Sequence, residues 1–166
     1  MENFNESSVE QLYSKTVLAF PKTTKRQHAT HPIVIEELRL TPFVGMKTLF
    51  IKGLARNEER SYNTIVLFKN VDYNKKETKI IVNDQIFEFN NLSLEGTDVL
   101  LRCNCNDFKY RFSYYNHLDK SLYGRKSVPY ESKGIGPPAN PMQYEGMCKH
   151  LIKTIEVIKE SYLFLD

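Results

Sequence analysis

The chain's three cysteines all fall in two short words, Cys103-Asn104-Cys105 and Cys148-Lys149-His150. Three thiolates and one imidazole make a soft-to-borderline donor set of four, which is what a tetrahedral zinc ion takes in a closed structural site. Cys103, Cys105, Cys148 and His150 are therefore read as the ligands of one structural Zn2+. Three other readings compete with this one. Buried free cysteine packs well as a small apolar residue, but packing alone does not explain why every cysteine sits in such a pair. A Cys103–Cys105 disulfide would be strained and would leave one thiol over. His117 competes for the fourth position; it lies in a charged stretch with no cysteine beside it, which suits a solvated helix-end histidine better.

The flanking residues say how the words must be positioned. Val99, Leu101, Cys103 and Cys105 alternate with Leu100, Arg102 and Asn104, so a strand would send both thiols to one face, with a bend at Asn104 to bring them together. After the second word, Leu151, Ile152, Ile155, Ile158 and Tyr162 recur at helical spacing. Two residues apart inside a helix point about 200° apart. Cys148 and His150 can thus converge only at the first turn of that helix, where the N-terminus also favours thiolate.

The Cys-x-Cys and Cys-x-His words, 42 residues apart, resemble the SWIM-type zinc finger. A wider block, with Cys-Asn-Asp-Phe at 105–108, Tyr-Tyr-Asn-His at 114–117, Pro-Pro-Ala-Asn-Pro at 137–141 and Gly-Met-Cys-Lys-His at 146–150, resembles zinc-binding virion proteins of tailed bacteriophages. The first resemblance implies DNA or protein binding. The second implies a structural component of a head, neck or tail junction, made in a host cytoplasm, located in the virion and held by other virion proteins in a symmetric assembly.

The rest of the chain frames these words. A length of 166 residues, 41% hydrophobic and 26% charged, fits an ordinary globular protein with a proper core. No apolar run reaches the length of a bilayer span, and Met1 to Glu10 is polar and acidic, so neither a signal peptide nor a membrane segment is expected. Cysteines held for metal imply a reducing compartment.

Ser7-Ser8-Val9-Glu10 predicts a capped helix start with an apolar stripe of Val9, Leu12, Tyr13, Val17 and Phe20, ended by Pro21. This helix either packs on its own domain or docks on a neighbour. Residues 22–31 read as a basic arm, in which His28 and His31 are given no chemistry. Residues 1–32 are thus a helix and arm, and 33–166 one β-rich domain. Six strands are predicted at 33–40, 47–55, 63–73, 79–82, 85–89 and 99–105, the fourth and fifth joined at Asn83-Asp84 as a tight hairpin. The fold class is α+β, an antiparallel sheet or small sandwich with a zinc-tied C-terminal helix, an N-terminal helix and extended arms.

Phe108, Arg111, Phe112, Tyr115 and Leu118 suggest a helix, against a strand reading from Phe108, Tyr110 and Phe112. Residues 120–147 hold four of the seven prolines and read as a long arm reaching neighbouring subunits, with Tyr123, Arg125, Lys126, Tyr130 and Tyr144 as partner-binding residues. Between residues 100 and 133 the net charge is +4 with aromatics interleaved. That pattern serves an acidic protein surface better than nucleic acid, for which binding is expected to be weak and non-specific. No phosphate-binding glycine loop, nucleophile elbow or His-Glu-x-x-His word is present, so neither enzymatic activity nor a small-molecule substrate is expected.

Overall fold

A computed structural model describes residues 7–21, 32–57, 60–129 and 139–161. The fold is α+β. Helix α1 (Val9–Ala19) is followed by β1 (Val34–Phe43), a 3-10 turn (Val44–Met46), β2 (Thr48–Asn57), β3 (Arg60–Phe68), β4 (Thr78–Val82), β5 (Gln85–Phe89) and β6 (Val99–Cys103). A π-helical turn (Phe108–Phe112) then leads into α2 (Ser113–Leu118), and α3 (Lys149–Glu160) closes the described chain.

Strands β1, β2, β3 and β6 form one antiparallel sheet in that order, while β4 and β5 form a separate hairpin inserted between β3 and β6. The second sheet of a sandwich is therefore not what the hairpin provides. Asn83 and Asp84 both have positive φ, 50° and 65°, the conformation a two-residue turn requires and that Asn and Asp tolerate. Strand β3 starts earlier than the alternation suggested, because Asn57 and Arg60 already pair across the turn, and it stops at Phe68, ahead of Asn70 at φ 56°.

One face of the sheet carries the core. Leu49, Ile51, Val66, Phe68 and Leu101 meet Leu151, Ile155 and Ile158 of α3, with Phe108 and Phe112 beside them. Helix and sheet approach closely at Gly53, where an added Cβ would sit 2.6 Å from Thr64 Oγ1 and 3.2 Å from Thr154 Cγ2. The two threonine hydroxyls hydrogen-bond at 2.8 Å across that contact, so neither is left unpaired in the core. Of the stripe expected on α3, Leu151, Ile152, Ile155 and Ile158 are buried, and Tyr162 lies outside the described residues.

Helix α1 packs on this body. Its N-cap is Ser8, with Gln11 closing the capping box, and Val9 and Leu12 are in the core. The stripe needs one correction: Tyr13 is exposed and Thr16 is buried in its place. The Thr16 hydroxyl is satisfied there, donating to Leu12 O at 2.7 Å and accepting from Met147 N–H at 2.9 Å. The basic stretch at 22–31, with His28 and His31, lies outside the described residues.

The expected arm at 120–147 is corrected at 121–122, 140 and 145–147, while 124–126, 128–129 and 141–143 are exposed. Ser121 and Leu122 are buried and lie along β6 as a short parallel bridge, and Asn140, Glu145, Gly146 and Met147 are buried too. An irregular chain can be buried only if its amides and carbonyls find partners. Asn116 supplies both at Gly146, accepting from its N–H (2.9 Å) and donating to its C=O (3.1 Å), and Asn140 donates to the carbonyls of Arg111 and Tyr144 (2.9 and 2.8 Å).

Tyr73 ties the inserted hairpin to the sheet. Its hydroxyl donates to Thr48 O at 2.5 Å and its ring meets Phe89 edge-on at 5.7 Å. Burial pushes its pKa up to about 12, so this contact stabilises the fold fully below the ordinary tyrosine range and loses its effect as pH rises through about 12. In a spectrophotometric titration of the ten tyrosines, Tyr73 is expected to ionise late and Tyr73→Phe to remove that late step. A Tyr73→Phe titration identical to that of the parent chain would refute the assignment.

Candidate metal centre

The two cysteine words meet at the end of β6 and the start of α3. Strand β6 stops at Cys103 and the chain bends through Asn104 into the next helical turns. The expected bend at Asn104 is made without a left-handed backbone. Instead its side chain and amide extend the ladder: Asn104 Oδ1 accepts from Asn63 N–H (2.9 Å) and Asn104 N–H donates to Asn63 O (3.3 Å). Cys105 therefore leaves the strand with its thiol still on the core side. Across from it, Cys148 is the N-cap of α3, at φ −75° and ψ 170°, and His150 lies in the first helical turn. That is the one place where residues two apart can face a common point.

All four side chains are buried, and their ligand atoms lie within 4.8 Å of one another. Metal bonds of about 2.3 Å to sulfur and about 2.0–2.1 Å to nitrogen at tetrahedral angles put sulfur and nitrogen about 3.6 Å apart, and Cys103 Sγ is already 3.9 Å from His150 Nδ1. Cys105 Sγ also accepts from Phe108 N–H at 3.3 Å, a hydrogen bond that steadies a thiolate. The His150 ring lies against Tyr62 with centroids 4.5 Å apart and a 36° interplanar angle, which fixes its tilt. Its Nε2 is buried and has no hydrogen-bond partner among the described residues.

Three thiols this close cannot all ionise unaided. Hydrogen bonds from the Cys103 thiol, and then from Cys148, hold Cys105 far below the ordinary thiol range. Cys103 is driven up chiefly by the proton it shares with Cys105, and Cys148 chiefly by its complete burial. A bound cation would supply the compensating field that lets all three lose their protons together. Donor set, burial and spacing together fit a metal ion.

Behind the cluster sits a pair that the sequence reading did not single out. Asp107 Oδ1 lies 3.0 Å from Arg111 Nη1, and the Arg111 guanidinium covers the Phe20 ring at 4.6 Å. Burial is the main reason the Asp107 carboxyl is raised, opposed by Arg111. Their i, i+4 spacing was the available signal. Asn116 and Asn140 had no signal of this kind.

The other residues singled out from sequence have differing surroundings where they are described. Tyr123 lies on the outer face of the sheet against Phe50, with centroids 5.5 Å apart, and its carbonyl accepts from Arg102. Arg125 and Lys126 follow it and are exposed. Tyr144 instead has Lys15 Nζ of α1 5.7 Å from its ring centroid. Tyr130 lies outside the described residues. His117 is on α2 and is not part of the metal cluster.

The chain matches no protein-family model, no curated protein and no solved structure. Among the described residues no helix is long and apolar enough to cross a membrane.

Proposed function

We propose that Cys103, Cys105, Cys148 and His150 hold one zinc ion in a closed structural site of SWIM-like pattern, and that the protein works through contacts with other proteins. The observation that carries this reading is the buried cluster of three thiols and one imidazole joining the end of β6 to the first turn of α3. Four protein ligands fill a tetrahedral zinc and leave no corner for water or substrate, which argues for a structural rather than a catalytic role. The larger role proposed is a structural component of a tailed-phage virion, at the head, neck or tail junction. Its support is the wording of residues 105–150 given above.

Two measurements test these levels separately. Elemental analysis of protein prepared without chelator is expected to give one zinc per chain; absence of zinc, or a different metal, sinks the first. Purified particles are expected to contain the chain in fixed stoichiometry, and particles lacking it sink the second. A nucleic-acid role is the second reading. Arg102, Lys109 and Lys126 line one hollow of about 370 Å³ beside Asn104, with no carboxylate among its lining residues. That arrangement suits phosphate contact that is weak, non-specific and lost with added salt.

A further inference from the structure

The four-stranded sheet ends differently on its two sides. Along β6 the outer backbone edge is taken by the chain itself, with Leu101 N–H donating to Ser121 O (2.8 Å) and Tyr123 N–H to Leu101 O (2.9 Å). Along β1, β2 is the only strand paired among the described residues. An edge of this kind is a template for another strand. Beside it, between β1 and the β4–β5 hairpin, runs a trough of about 680 Å³ whose lining mixes Leu38, Leu40 and Phe87 with the polar Arg39, Thr41 and Gln85. Ile81 and its cross-strand partner Ile86 are both exposed at the hairpin.

Beyond the β-bulge between Ile35 and Glu37, side-chain parity divides β1 into two faces. Leu38 and Leu40 stand opposite Gly53 and Ile51, on the core side, where they pack against the core. Glu37 and Arg39 stand opposite Leu54 and Lys52 on the other side, joined to each other at 2.7 Å and well exposed. An acid and a base two positions apart on one face are complementary to the same strand running the other way. Antiparallel pairing of two β1 strands about Leu38 sets Glu37 of each copy opposite Arg39 of the other. The alternative centred on Arg39 would set like charges against each other. Pairing about Leu38 also keeps Leu38 and Leu40 of both copies on the core-side face beside the trough, while Glu36, at the bulge, is held by Arg56 at 2.9 Å.

We propose that the occupant of this edge is a second copy of the chain, joined β1 to β1 antiparallel about Leu38, so that two four-stranded sheets continue as one. This inference is independent of the metal reading. Equilibrium sedimentation of the full zinc-loaded chain tests it, with Glu37→Arg and Arg39→Glu as variants. The parent chain is expected to dimerise with rising concentration, and each reversal to weaken the dimer by about ten-fold or more. An equimolar mixture of the two variants is expected to regain it, because every facing pair is again opposite in sign. Hydrogen exchange of the parent chain supplies a readout without mutation: the β1 amides should slow as concentration rises. A chain that stays monomeric at all concentrations overturns the proposal. So does a dimer that both reversals leave intact, or one that mixing does not restore.

Discussion

Replacing Cys148 by Ala is expected to abolish metal binding and to loosen the region from Cys103 onward before the strands β1 to β3 melt. The ion would pin β6 to α3 across 42 residues, most of whose described positions lie outside helices and strands. Zinc binding contributes on the order of 10 kcal/mol to the folding of small zinc domains. The sheet here has its own core, so a smaller net loss, about 3–5 kcal/mol, and a fall in Tm of about 10 °C or more are expected. Hydrogen exchange should accelerate at 103–123 and 140–160 while β2 and β3 stay protected. Uniform acceleration across all strands, or none anywhere, would contradict the proposed role of the ion.

The pH response gives the same centre a second signature. Without metal, the folded chain keeps protons on Cys103 and Cys148 that the unfolded chain gives up above the ordinary thiol range, since both are held high when folded. Stability of the metal-free protein therefore falls as pH rises past that range. Cys105 is held low and works the other way, its contribution being present above the ordinary thiol range and lost as pH falls. With metal bound, all three thiols are deprotonated in the folded state, so stability is lost only on acidification. Denaturant titrations from pH 7 to 10, with and without zinc, should diverge at the alkaline end.

The second large effect is expected at Gly146. A Cβ there would lie 2.4 Å from Thr16 Oγ1 and 2.7 Å from Phe112 Cε1. Neither neighbour can yield easily. The Thr16 hydroxyl is engaged by Leu12 O and Met147 N–H, and Phe112 is buried with its ring edge-on to Phe20. Gly146→Ala is expected to cost about 3 kcal/mol, and to weaken metal binding as well, since Cys148 is two residues on. Gly96→Ala, whose nearest contact would be Ser93 Oγ at 3.7 Å, should be close to neutral. Equal stability of the two variants would rule out this account of the packing.

The candidate metal cluster and most strands are legible in the chain because each depends on short spacing. Two thiols one residue apart on a strand, and a thiol and imidazole at a helix start, carry their geometry with them. The same holds for Asn83-Asp84, where residue type and turn conformation agree. What spacing does not convey is which distant element answers a polar side chain. Asn116 sits among tyrosines and a histidine like any surface residue, yet it is fully buried and satisfies Gly146 thirty residues away. Prolines and glycines between 120 and 147 rule out regular structure, but that is no bar to burial once Asn116 and Asn140 supply partners. Phe108, Tyr110 and Phe112 fit two periodicities at once; the π-helical turn buries Phe108 and Phe112 and leaves Tyr110 outside.

The contact between Thr16 and Met147 spans 131 residues, which bears on the order in which the protein is completed on a ribosome. Synthesis runs at about 5–20 residues per second, so helix α1 leaves the exit tunnel roughly 7–26 seconds before Met147. An isolated helix of 11 residues is marginal in water. During the first part of that interval, before Leu94 and Val99 arrive to bond Glu10 and Ser7, the α1 segment is open to chaperones and proteases.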